Sequence, residues 1–528
     1  MRNLILTFLV SLCLTTNAQE DMAHKQVNTV LDYIDQFYLE DVDKDELAEL
    51  AIKSVLKDLD PHSVYISKEE VAEMNEPLVG NFEGVGIQFN ILNDSILVVA
   101  TIAGGPSEKV GVLAGDRIVM IDGEIVAGIG ITNKGVVDRL RGAKDTEVGV
   151  EIKRIDVKKT LDFKIVRDKI PIFSIDAAYM VNDYIGYIKV NRFAAKTPQE
   201  FVEALDKLEE QGMTNLVLDL QGNSGGYLNA AFKMTDEILG HHKLIVYTEG
   251  KNSPRNEMKA TAYGHYENGN IVVLIDQYSA SASEIMSGAI QDWDRGLIIG
   301  RRSFGKGLVQ RPLPLPDGGQ IRLTIANYYT PSGRFIQKPY TDGVDSYRKD
   351  LANRFSSGEL TDSLIQELPD SLKFETKNGR IVYGGGGITP DIYVPLDTSF
   401  TTEFYAQTLR KGLINKFTLS YVNQNRKALV EYYPNVETFD QTFMADEEFL
   451  AEFLEYCAKE EIDIDKDQVA KSSKVLGLQL KGLIARNLFS GEAYYYVVNK
   501  EMNQSFITAV EAIENNWFKN YNITWTKK

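Results

Sequence analysis

Between residues 24 and 59 apolar side chains return at helical spacing: Val27, Val30, Leu31, Ile34 and Phe37, then Leu47, Leu50, Ile52, Val55 and Leu56, with acidic residues between them. The period predicts two amphipathic helices. Pro61 stops the second, and Ser67 is placed to cap a further helix over SKEEVAEM. Residues 82–170 change character, with short β-branched runs (ILVVAT 96–101, RIVMID 117–122, VGVEIKR 148–154, TLDFKIVR 160–167) separated by Gly, Pro and Asp turns. That pattern predicts a small β-rich domain. From 184 to 336 strand and helix patterns alternate: YIGYIKV, a helix over 198–211, LVLDL, a helix over 227–239, IVVLID, a helix over 282–292, and GLIIG. Such alternation predicts βαβ units around a largely buried sheet. A polar stretch, 341–378, reads as a flap or a surface insertion ahead of the glycine run 384–387. From Asp397 onward aromatic-rich helical segments predict a helical tail without motif chemistry of its own.

The first residues are of another kind. Met1, Arg2 and Asn3 lead into an apolar run from Leu4 to Leu14 and then to Thr16, Asn17 and Ala18, the pattern of a secretory signal peptide cut after Ala18. The chain is therefore expected to be exported, to a periplasm or cell envelope. Cys13 follows Leu12 where lipid attachment would want a small residue, so a lipid anchor is unsupported. If Cys13 leaves with the signal, Cys457 is the single thiol and no internal disulfide forms.

Composition narrows the chemistry. A chain of 528 residues exceeds one ordinary domain of about 100 to 200 residues. Lys and Arg total 57 against 75 for Asp and Glu, and the net charge of −18 repels a phosphate backbone, which argues against nucleic acid as a partner. Five histidines, two cysteines and the absence of HExxH and CxxC leave little material for a metal site. No metal and no cofactor is expected, and catalysis has to work without zinc and without a catalytic imidazole.

Two serines compete for the role of nucleophile. Gly222-Asn223-Ser224-Gly225-Gly226 follows the strand LVLDL and precedes a helix, which fits the G-x-S-x-G elbow and would make Ser224 the nucleophile of an esterase. That reading needs a histidine, and His241, His242 and His265 come earlier than most of the remaining sheet. The bland alternative is a tight glycine turn whose N–H groups point at an anion. The second serine, Ser281 in SASASE, reads most simply as a capping box with Glu284. Its company lifts it: Ser303-Phe304-Gly305-Lys306-Gly307 follows, with Gln310 shortly after.

Seven ordered blocks, LDPHSVYIS (59–67), GVGIQF (84–89), LDLQGNSGG (218–226), SASASEI (279–285), SFGKGLVQ (303–310), YYTPSGRFI (328–336) and GGGITPDI (385–392), resemble those of the C-terminal processing, or tail-specific, serine peptidases. The resemblance spans roughly residues 24–395. It implies Ser281 as nucleophile, Lys306 as general base, Gln310 as the residue orienting the lysine, and the backbone N–H groups of Gly226 and Ala282 as oxyanion hole. Ser224 then stands where the family commonly has proline, and Gln221 where arginine is frequent. A lysine base acts only when neutral, so its pKa has to fall by several units from about 10.4 through desolvation.

GVGIQF followed by GPSEKVGVLAGDRIVMIDGE resembles a PDZ domain, with Gly84, Val85, Gly86 and Ile87 as the loop that binds a terminal carboxylate. LRGAKDTEV (140–148) resembles its closing segment, with Asp145 in place of a frequent glycine and Arg141 placed to bridge to the active site when ligand binds. The implied fold class is α/β and α+β multidomain: a crotonase-like αβ peptidase core with an inserted PDZ domain and flanking helical N- and C-terminal regions. The implied division is signal peptide 1–18, N-terminal helical region 19–78, PDZ domain 79–170, peptidase core 171–396 with an insertion at 341–380, and helical tail 397–528. The implied function is an exported endopeptidase that recognises exposed apolar C-termini. Protein substrates with free C-termini are the implied partners, with an adaptor protein and a homodimer formed through the flanking elements as further ones. The rivals are a catalytically silent PDZ scaffold and the Ser224 esterase.

Overall fold

The computed structural model describes residues 22–155, 157–262, 264–362 and 369–523; the expected signal peptide lies outside them. The chain divides into two units, residues 1–68 with 312–323 and residues 69–311 with 324–528.

In the first unit the helical period yields α1 (Met22–Phe37) and α2 (Lys44–Leu59). Asp43 caps α2 by accepting the N–H of Asp45 at 2.9 Å. Past Pro61, the Asp60 carboxylate accepts the N–H groups of His62 and Ser63 at 2.7 and 2.8 Å, and β1 (Val64–Ile66) pairs antiparallel with residues 320–322.

The second unit contains an antiparallel β-unit and a three-layer core. After α3 (Lys68–Val79) come β2 (Asn81–Gly84), β3 (Ile87–Ile91), β4 (Ile96–Thr101), the short α4 (Pro106–Lys109), β5 (Arg117–Ile121), β6 (Glu124–Ile125), α5 (Asn133–Leu140), β7 (Glu147–Lys153), β8 (Leu161–Val166) and β9 (Asp168–Pro171). β3, β4, β5, β7 and β8 form one sheet in that order, and β2 pairs with β9. Alternation along β7 buries Val148, Val150 and Ile152. β3 is an edge strand, so its outer side is open for pairing.

The core sheet runs β10 (Ile175–Met180), β11 (Ile185–Val190), β12 (Asn215–Asp219), β15 (Asn270–Ile275), β16 (Leu297–Gly300) and β19 (Ile392–Tyr393), parallel throughout except for β10 against β11. Its strands are apolar on both faces because both faces are covered. Ile188, Leu218, Val273 and Ile298 meet α6 (Thr197–Glu210), α7 (Leu228–Asp236) and α8 (Ala282–Asp292). Tyr187, Val217, Val272 and Ile299 face the other way. The strands β13 (Leu244–Gly250), β14 (Ser253–Lys259), β17 (Leu308–Pro314) and β18 (Gln320–Tyr329) belong to a separate sheet.

Two stretches hold more than their patterns predict. The stretch 341–378 is not simply a polar surface insertion: it holds α9 (Val344–Ser356), whose Tyr347 and Arg354 are buried, as is Leu360 after it. Residues from 397 onward, read as one helical tail, divide between two cores. α10 (Glu403–Arg410), α11 (Leu413–Tyr432), α12 (Val436–Thr442), α13 (Glu447–Lys459) and α14 (Lys466–Leu488) build their own apolar cluster. Cys457 is buried in it, and burial pushes its thiol up to about 12, which removes thiolate chemistry. α15 (Gly491–Met502) joins the two, packing Ala493, Val497 and Val498 into that cluster and Tyr495 and Tyr496 against the second face of the core sheet, which α16 (Gln504–Glu514) covers, with Phe506 edge-on to Tyr187 at 5.4 Å and the Glu492 carboxylate accepting Ala178 N–H at 2.8 Å.

Phe506→Ala should therefore cost about 3 to 5 kcal/mol in chemical denaturation, the usual loss for a buried aromatic, although the residue is far from the site in sequence. A loss below about 1 kcal/mol, the scale of a surface substitution, would show that α16 is not part of the core.

Candidate active site

The site forms at the carboxyl ends of β12, β15 and β16, three neighbours in the sheet, where parallel α/β sheets place their functional loops. The loop after β15 is tightly braced. Asp276 accepts the N–H groups of Tyr278 and Ser279, and reaches across to Gly222 N–H at 2.9 Å. Ser279 Oγ donates to Leu220 O at 2.8 Å. The brace delivers Ser281 to the N-terminus of α8 with φ 55° and ψ −109°, a conformation that costs a non-glycine residue about 1 to 3 kcal/mol. Ser281 is half-buried.

The turn after β12 closes on this serine. Asn223 is fully buried: its Nδ2 donates to Val190 O at 3.0 Å, its Oδ1 accepts Gly225 N–H, and its carbonyl accepts Ala280 N–H and Ser283 Oγ. Gly225 has φ 105°, and a Cβ there would lie 2.9 Å from Ser281 Cβ; one on Gly226 would collide with Phe193 O. Only glycine lets the turn approach the serine so closely. Among the described residues, no acceptor is found for the N–H of Gly226 or of Ala282. Gln221, the departure from the family pattern, accepts from Asn503 Nδ2 of the tail at 2.9 Å.

The loop after β16 carries the lysine. Lys306 Nζ donates to Gln310 Oε1 at 2.8 Å, so the expected orienting partner does contact the expected base. Glu284 joins this loop to the serine. One carboxylate oxygen accepts the N–H of Ser281 at 2.7 Å and of Lys306 at 2.8 Å; the other accepts Gly305 N–H at 2.7 Å and Ser303 Oγ at 2.5 Å. Beneath them, fully buried Tyr328 donates its hydroxyl proton toward the carbonyls of Ser281, at 3.1 Å, and of Lys306. The sequence shows Glu284 only as a cap reaching back to Ser281; nothing in its spacing signals the bonds to residues 303–306.

Further out, buried α9 residues hold the same loop. Arg354 donates to Ser303 O and Arg302 O at 3.2 and 2.7 Å, and Glu359 bridges Arg302 and Arg354. Lys338 lies over the rings of Phe304 and Tyr347.

Ser224 is exposed, and the strained backbone of this region lies at Ser281 instead. His265 pairs with Glu237 at 2.6 Å, and His241 stacks on His242, so the structure brings no histidine of these three to Ser224 among its described hydrogen bonds. In the antiparallel β-unit, Gly84, Val85, Gly86 and Ile87 lead into edge strand β3, and no acceptor is found among the described residues for the N–H of Val85 or Gly86. Arg141 lies over Phe82 at 4.7 Å and pairs with Glu76 of α3 at 2.5 Å. Among the described residues no cluster of His, Cys, Asp or Glu could hold a metal ion, and no helix is long and apolar enough to cross a membrane.

Burial raises the Glu284 carboxyl to about 7, against the pull of its four donors. A pKa raised from 4.5 stabilises the fold fully below pH 4.5, and this contribution, about 3 kcal/mol, is lost as pH rises through 7. The stability difference between the parent and Glu284→Gln should therefore shift against the parent across that window in denaturant titrations. A difference independent of pH would contradict the burial of an ionisable Glu284.

The profile of peptidase family S41 matches residues 184–346, that of the activating protease CtpB N-terminal domain matches 13–70, and a family of unknown function matches 404–491. The chain is 38% identical over 331 residues to a carboxy-terminal-processing protease of Bartonella bacilliformis, covering 61% of this chain and 75% of that one. It is 31% identical over 365 residues to carboxy-terminal processing protease CtpB of Bacillus subtilis, covering 69% and 74%. Among solved structures, a photosystem II D1 C-terminal processing protease matches at 25% identity and a TM-score of 0.35, covering 69% of this chain and 85% of that one. Identity of this extent, over three quarters of a relative, places the chain in the carboxy-terminal-processing protease family, and it is a serine peptidase.

Proposed function

We propose that the protein is an exported serine endopeptidase with a Ser281–Lys306 dyad on a crotonase-like core, and that the β-unit over 79–170 is a PDZ domain presenting exposed apolar C-termini. The observation that carries this reading is Glu284, one oxygen of which holds the backbones of both Ser281 and Lys306. Unprotonated Lys306 takes the Ser281 hydroxyl proton as Oγ bonds to the peptide carbonyl carbon. The oxyanion that forms is met by the N–H groups of Gly226 and Ala282, the latter at the positive end of α8. As the C–N bond breaks, Lys306 returns the proton to the leaving amine, and a water activated in the same way releases the acyl group. Gln310 keeps the ammonium or amine aimed at the serine. In the β-unit, the free N–H groups of the 84–87 loop suit a terminal carboxylate, and open β3 suits an added strand. Homodimerisation through the flanking helices and an adaptor protein belong to the same reading.

Ser281→Ala and Lys306→Ala should each lower cleavage of an unstructured protein with an apolar C-terminus by at least about a thousandfold, while Ser224→Ala retains it. Loss in Ser224→Ala alone would overturn the dyad. In the active parent, Gln310→Ala should lower kcat more than it raises KM, because it positions the base without binding substrate.

A further inference from the structure

A cleft of about 880 Å³ lies between the β-unit and the helical tail, and no role attaches to it so far. Its floor is the outer face of β3 and β4; its roof is formed by α11 and the corner between α14 and α15. Leu419 of α11 fixes the two together by packing on Leu92, Leu97 and Val99. The lining contains Arg426 and Arg486 and no carboxylate, in a chain whose net charge is −18.

Neither arginine forms an ion pair among the described residues. Arg426 donates to Asn487 O and Arg486 to Asn415 Oδ1, each at 3.0 Å. Asn487, only 5% exposed, lines the cleft with both its Oδ1 and its Nδ2 unpartnered, and Arg426 Nε is buried without an acceptor. A buried polar group left unpaired costs about 1 to 3 kcal/mol. Ser490 and Gly491, the cap and first residue of α15, also line the cleft, adding the positive end of a helix. Cations, an amide and a helix N-terminus converging on one concavity describe a site for a carboxylate.

The floor supplies the direction. Side chains of a strand alternate, so on β3 Ile87, Phe89 and Ile91 pack against the interior while Gln88 and Asn90 line the cleft, which Phe89 between them also borders. A substrate C-terminus added alongside β3 alternates in the same way. If its last, apolar side chain points inward, the second and fourth from the end point into the cleft. We propose that the helical tail is a second recognition wall, in which Arg426, Arg486 and Asn487 select substrates with an acidic side chain at the second or fourth position from the C-terminus. This rests on the reading of the 84–87 loop as the carboxylate site.

The test uses full-length Ser281→Ala and fluorescent peptides with an apolar last residue, carrying Glu, Gln or Lys at those two positions, plus a C-terminally amidated Glu peptide, with anisotropy as readout. The Glu peptide should bind about tenfold more tightly than the Gln peptide, an advantage that shrinks with added salt. Arg426→Gln should erase the advantage. Arg486→Glu, at the exposed rim where folding is not at risk, should reverse the order and favour the Lys peptide. If the Glu, Gln and Lys peptides bind alike and Arg486→Glu leaves them so, while amidation still weakens binding, the tail wall is refuted and the carboxylate loop stands. If amidation has no effect, the loop reading itself fails and the proposal fails with it.

Discussion

One buried carboxylate organises the catalytic end of this molecule. Glu284 sits on the first turn of α8 and gathers Ser281 N–H, Gly305 N–H, Lys306 N–H and the Ser303 hydroxyl. Burying a carboxylate is costly unless donors replace its water. Here the donors come from two different loops, so the need to satisfy Glu284 is also what fixes the Ser281 loop against the Lys306 loop. Tyr328 repeats the link from below through the carbonyls of the same two residues. The strained φ of Ser281 persists because its surroundings over-determine it: Gly225 packs on its Cβ and Asn223 holds its neighbours.

That hub depends on the sheet beneath it. β12, β15 and β16 are adjacent and parallel, so the turns that follow them emerge side by side at one edge. The sheet keeps this register because both faces are dry, one under α6, α7 and α8 and the other under α16. The last helices are thus part of the scaffold, and they extend to the site through Asn503 on Gln221. α9 acts similarly on the Lys306 loop, through Arg354.

Much of this was legible along the chain. The switch from the short β runs of 82–170 to alternating strand and helix at 184 marks the passage from the antiparallel unit to the core sheet, since periods of 2 and 3.6 are imposed by local geometry. The contact of Gln310 with Lys306 was implied by the resemblance rather than by spacing: Lys306 lies in the loop before β17 and Gln310 within that strand. Glu284 was visible as a cap, which is a local bond. Its three other donors lie 19 to 22 residues away, and α9 looked like an insertion because a buried arginine is indistinguishable in sequence from a solvated one. The tail looked inert for the same reason: Arg426, Arg486 and Asn487 become a concentrated set of donors only opposite β3 and β4.

The sequence by itself determined which segments are helix and strand and where glycine is required, because each of these follows from neighbours within a few residues; that a lysine and a glutamine follow Ser281 was legible only as an order of blocks along the chain. The tertiary structure alone decided that a capping glutamate becomes the joint between two loops, that the final helices complete the core, and that the tail overhangs an open strand edge. Those outcomes depend on which buried polar groups meet across the fold, and the pairing of such groups is a property of packed surfaces that no local period encodes.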